Sequence, residues 1–162
     1  NSKKINIYSD KHTIKNLKIR MDYLFKEISS YKPILKANII KKKFSLGKSS
    51  EKISFISTRV KHGQISCNAY IFEKVAYISD CNDLSIVKRK EFKKLNFLII
   101  DCLKIINHPS HFNLNEAIFV HNSLKPKKTI LTNLHYDLDY NYLLKKLPKN
   151  IIPAYDGLTI NF

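Results

Sequence analysis

A chain of 162 residues, 44% hydrophobic and 26% charged, has the apolar material for one packed domain and is too hydrophobic to be a disordered segment. No apolar run approaches the roughly 18 residues that span a bilayer, so a membrane partner is not expected. A formal net charge of +16 suggests an anionic partner, but Arg20, Arg59 and Arg89 are the only arginines. The Lys excess rises together with Ile and Asn, as AT-rich coding would produce, and bidentate phosphate recognition favours Arg. Nucleic acid is therefore an open partner and not the favoured one.

Ile5 to Tyr8 alternates as a short strand, and Ser9-Asp10 offers a cap for a helix from Thr13 to Phe25. Ile14, Leu17, Met21 and Leu24 form its apolar stripe. After the break at Tyr31-Lys32-Pro33, strands are expected over 34–40, 44–46 and 53–60, the last leading into Lys61-His62-Gly63. Cys67 to Phe72 and Val75 to Ser79 form a hairpin about Glu73-Lys74, and 83–94 is a loop with a helix. Leu95 to Asp101 is an apolar strand ending in an acid. Asn113 to Leu124 is a helix starting just after His111. Thr129 to Leu134 is a strand ending at His135, Tyr140 to Leu147 a short helix, and Ile151 to Phe162 a last strand or hairpin. Antiparallel strands followed by alternating strands and helices predict a mixed αβ layered domain over residues 1–162. Cys67, Cys81 and Cys102 are odd in number and widely spaced, which fits reduced thiols and a cytoplasmic protein. The chain begins at Asn without a signal-peptide pattern, as expected of a processed or partial reading frame.

His and Asp residues recur at predicted strand ends. Val60 leads to His62, Ile78 to Asp80, Ile100 to Asp101 and Leu131 to His135. Strand ends are where rigid elements aim several side chains at one point, and mixed His nitrogen and Asp oxygen suits a divalent metal. Hydrogen-bonded structural roles for the same residues remain open on spacing alone.

Longer motifs carry a resemblance. Asn68-Ala-Tyr to Ile78-Ser-Asp80, Leu98-Ile-Ile-Asp101-Cys-Leu, and His108-Pro-Ser-His111-Phe-Asn-Leu-Asn-Glu-Ala117 resemble metallo-β-lactamase-fold hydrolases. So do the run from Leu124 through His135 to Tyr140 and Pro153-Ala-Tyr-Asp156-Gly-Leu. The similarity is greatest to the branch that contains the cyclic phosphodiesterase of phosphonate breakdown. It implies an α+β fold, the αββα four-layer sandwich, with two divalent ions (Zn or Mn) and hydrolysis by a metal-bound hydroxide. By position, His62 matches a ligand of the first metal, Asp80 the carboxylate bridging both metals, and His135 a ligand of the second. His111 matches a His that assists the leaving group, which with Asp80 makes the catalytic pair. Asp101 resembles an acid that orients a ligand His.

Two departures qualify this. The family's His-x-His-x-Asp-His signature, which supplies ligands to both metals, is absent from these 162 residues. The expectation is therefore the C-terminal part of such a domain, with little catalysis of its own. Many members also carry His where this chain has Asn133; alternation along a strand would let His135 reach the same ion. The implied substrate is a small phosphodiester. A same-fold RNA-processing nuclease and a non-catalytic basic remnant that binds nucleic acid or a partner are the alternatives, and a homodimer is left open.

Overall fold

The computed structural model describes residues 3–161; Phe162, at the end of the last predicted strand, lies outside them, as do Asn1 and Ser2. The chain divides into two compact units, residues 1–44 and 45–162.

In the first unit, Asp10 closes one element and opens the next. Strand β1 (Ile5–Ser9) ends there, and the Asp10 carboxylate accepts the backbone N–H groups of His12 and Thr13 to cap α1 (Lys11–Arg20). The helix is shorter than its apolar stripe predicts. Met21 leaves helical geometry (φ −134°), and Asp22–Leu24 continues as a single 3₁₀ turn. Strand β2 (Leu35–Ile39) then pairs with β1 in parallel. A helix between two strands makes a crossover, so this pair is parallel.

The second unit is organised by one sheet. Its strands are β3 (Lys43–Leu46), β4 (Ile53–His62), β5 (Ile65–Phe72), β6 (Val75–Ile78), β7 (Phe97–Asp101), β8 (Lys128–Thr132) and β9 (Ile151–Pro153), side by side in chain order among the described residues. β4, β5 and β6 are antiparallel neighbours; β6 through β9 run parallel. The β5–β6 hairpin turns at Glu73 and Lys74, both with positive φ (44° and 65°), as a two-residue primed turn demands.

The segment predicted to contain a helix after Asp83 folds as two 3₁₀ turns, Leu84–Lys88 and Lys90–Phe92, that bury Ile86 and Phe92. They are held from β4: Arg89 donates to the Arg59 carbonyl and to Glu91, and the Thr58 hydroxyl donates to Glu91. Helix α2 (Leu114–Leu124) begins with a capping box between Asn113 and Glu116. Ala117, Val120, His121 and Leu124 make its buried face, at spacings of three and four, over β7 and the Leu84–Lys88 turn. Helix α3 (Tyr140–Lys146) packs on β9, and the core runs from Val60 and Ala69 through Ile78, Leu98 and Ile100 to Leu131 and Leu143. Strand β9 is three residues long, and described residues beyond Pro153 are turn and coil. Four parallel strands therefore end at one edge of the sheet.

Candidate metal centre

His62 is the last residue of β4, and Asp80 follows β6 by two residues. Since β5 is antiparallel to both, β4 and β6 run the same way and bring these side chains to one sheet edge. His111 reaches that edge from the loop between β7 and α2. The ends of this loop are pinned where the Leu103 N–H donates to the Phe112 carbonyl and the Leu114 N–H to that of Lys104. Phe112 anchors it further, with no exposed surface.

Ligand atoms of His62, Asp80 and His111 all lie within 4.8 Å of one another, and the three residues are half-buried. The two imidazole rings stand edge to face, centroids 4.5 Å apart. Among the described residues this is the group of His, Cys, Asp or Glu side chains able to share an ion.

Hydrogen bonds fix which nitrogen each ring offers. The Ser110 carbonyl can only accept, so the 2.9 Å bond to His62 Nδ1 places the proton there and leaves Nε2 as a lone pair. His111 Nδ1 donates to Asp101 Oδ2 at 2.7 Å, which aims its Nε2 in the same way. The Ser79 hydroxyl donates to Asp80 Oδ2 at 2.8 Å. Two imidazole lone pairs, a carboxylate and an acid behind one ring form a donor set that fits a borderline divalent cation.

Asp101, at the end of β7, is fully buried and organises the edge. Besides His111, it accepts the Cys81 N–H at 3.0 Å and the Asn133 side-chain amide at 3.2 Å. Burial pushes its carboxyl above the usual carboxylate range, opposed by those three donors. Burial first, then the neighbouring His111, holds the His108 imidazole below the ordinary histidine value. Cys81 and Cys102 are buried, and burial raises each thiol to about 12, so neither serves as a thiolate ligand near neutral pH.

His135 is not brought into this group. The predicted strand through Leu134 stops at Thr132, and Asn133 adopts a left-handed conformation (φ 62°), so strand alternation no longer relates 133 to 135. Asn133 turns toward Asp101, while His135 Nδ1 pairs with Asp137 Oδ1 at 2.9 Å. Asn133 also lines a cavity of about 380 Å³ with Thr132, Leu134, Ala154, Tyr155 and Asp156. Asn82 was not singled out by the sequence reading. It bonds both to the turn after His62 and to the loop before His111. An Asn two residues after a strand-end Asp carries no signal by itself; its partners are distant in sequence.

Residues 1–136 match the Beta-lactamase superfamily domain. The chain belongs to this family. The α+β metallo-β-lactamase fold expected from the sequence is the fold of the chain, as solved structures agree. A diphosphatase of the PhnP family superposes with a TM-score of 0.81 at 24% identity, over 99% of this chain and 59% of that one. The metallo-β-lactamase fold protein YhfI of Bacillus subtilis gives 0.66 at 16%, covering 94% and 63%. The short form of human tRNase Z gives 0.60 at 14%, covering 99% and 68%. Among curated proteins, an octanoyltransferase of Porphyromonas gingivalis is 24% identical over 156 residues, 94% of this chain and 31% of that protein. The chain thus spans about a third of that relative and about three fifths of the diphosphatase. Among the described residues, no helix is long and apolar enough to cross a membrane.

Proposed function

We propose that this chain carries part of the active centre of a metal-dependent hydrolase, in which His62, Asp80 and His111 hold a divalent ion. The observation that carries the reading is the convergence of one ligand atom from each of three residues within 4.8 Å, while the Nδ1 bonds of both histidines leave their Nε2 atoms free to bind an ion. An ion held there would polarise a phosphoryl or carbonyl oxygen and acidify a coordinated water. The chain's own part is to orient. Ser110 and Asp101 fix the two rings, Ser79 fixes Asp80, and the cavity beside Asn133 offers room for the organic portion of a substrate.

The substrate class we propose is a small phosphodiester. The +16 charge favours an anionic ester, and two structurally similar proteins are named a diphosphatase and a tRNase. Zn²⁺ or Mn²⁺ fits the mixed nitrogen and oxygen donors. A second ion, with His135 as one ligand, remains what the resemblance implies; the described residues gather no second group of three donors. Catalytic zinc normally takes three protein ligands, so one ion is expected to bind; without the His-x-His-x-Asp-His ligands, which these 162 residues lack, turnover is expected to be slow.

One contact favours a second role for His111. Its 2.7 Å pairing with buried Asp101 is also the arrangement of a proton donor to a leaving oxygen. Metal-dependent cleavage of bis(p-nitrophenyl) phosphate by the wild type and His111→Ala, with metal affinity measured in parallel, tests both. Loss of affinity supports the ligand role, and loss of turnover at full affinity the proton role. No chelator-sensitive cleavage and no ion binding would refute the hydrolase reading.

A further inference from the structure

Asn82 makes three bonds, and together they tie the elements that carry all three proposed donors. Its backbone N–H donates to the Lys61 carbonyl at 3.0 Å, joining the segment after Asp80 to the end of β4. Its side-chain oxygen accepts the Gly63 N–H at 3.0 Å, on the far side of His62. Its side-chain nitrogen donates to the Pro109 carbonyl at 2.8 Å, two residues before His111.

The same junction is tight. Gly63 has φ 59°, and a Cβ placed there would stand 3.0 Å from the Ser110 Cβ. Ser110 supplies the carbonyl that fixes His62 Nδ1. The turn after β4 and the loop before α2 thus touch through a glycine, a histidine–carbonyl bond and one amide.

We infer that Asn82 is a positioning residue for the proposed metal centre, setting the separation of His62 and His111 by bridging the Gly63 turn to the Pro109–Ser110 loop. An amide fits the task because it accepts at one atom and donates at the other. Asp accepts only, and Ala does neither. Groups that hold ligands in place typically contribute about 10–100-fold to metal affinity.

The inference rests on the metal-centre reading, and its test separates the two. Co²⁺ is titrated into the metal-free chain against a chromophoric chelator for the wild type, Asn82→Ala and Asn82→Asp, with the d–d absorption spectrum and the metal-free Tm recorded for each. The expected result is a loss of Co²⁺ affinity of roughly 10-fold or more in both variants, with an altered d–d spectrum. Asn82→Asp decides between positioning and charge, because it adds a negative charge beside the cation yet removes the bond to Pro109. Tighter binding by Asn82→Asp would overturn the inference. So would a lower Tm with affinity within twofold of the wild type, which marks a structural residue alone. A wild type that binds no Co²⁺ refutes the metal centre itself, and the inference with it.

Discussion

Replacing Asp101 by Asn keeps the shape of a fully buried side chain and removes one acceptor. Asp101 accepts from the Cys81 N–H, His111 Nδ1 and the Asn133 amide at 3.0, 2.7 and 3.2 Å. Asn offers a single carbonyl oxygen, and its NH₂ must face one of those donors. A charge-assisted bond is worth about 1.5–3 kcal/mol, and a buried donor left unmet costs about 1–3 kcal/mol. Relief from burying a carboxylate offsets part of this, as the raised carboxyl pKa implies. The net loss is set at roughly 2 kcal/mol, or a Tm lower by about 4–8 °C in a chain of this length. His111 also loses the acceptor that aims its Nε2, so affinity for the ion should fall about 10–100-fold. Calorimetry with chelator competition on Asp101→Asn reads both. Metal affinity within twofold of the wild type would refute the claim that Asp101 acts through His111.

Other residues give independent checks. His121 is buried; its Nδ1 donates to the Thr129 hydroxyl at 2.8 Å, and its Nε2 accepts from Asn150 at 2.9 Å. Burial lowers its pKa from the ordinary 6.5, so between 6.5 and that lowered value the unfolded chain binds more protons. Stability should fall as the pH drops below 6.5, and the decline in Tm from pH 7.5 to 5.5 should be smaller in His121→Gln. Glu73 and Lys74 hold left-handed geometry without glycine, at a cost of about 1–2 kcal/mol per residue. The replacement Glu73→Asn with Lys74→Gly should raise Tm by several degrees at unchanged metal affinity, measured by thermal denaturation and chelator competition.

The sequence showed strands wherever apolar residues alternated or ran together, and the strand-end positions of His62, Asp80 and Asp101 followed from them. Motif order then carried the family. Four features were not legible. The helix pattern persisted to Leu24 although the backbone turns at Met21, because periodicity reports a face and not a hydrogen-bond ladder. The residues after Asp83 read as a helix, yet their stability comes from long-range bonds of Arg89 and Glu91 to β4, which no local pattern encodes. His135 was assigned to a metal by resemblance, with strand alternation letting it reach the ion expected at position 133; that alternation ends where Asn133 takes a positive φ, a conformation Asn tolerates better than most residues. Asn82 could not be read from sequence at all, since its side-chain partners lie 19 and 27 residues away.

The proposed function requires that His62, Asp80 and His111 converge on one ion. Co²⁺ titration of the metal-free chain, comparing His62→Ala, Asp80→Asn, His111→Ala and His135→Ala, tests it most directly. The first three are each expected to lose the d–d spectrum and at least tenfold in affinity, while His135→Ala keeps both. Retention of the spectrum by His111→Ala, with its loss in His135→Ala, would rule out His111 as the ligand and return that role to His135.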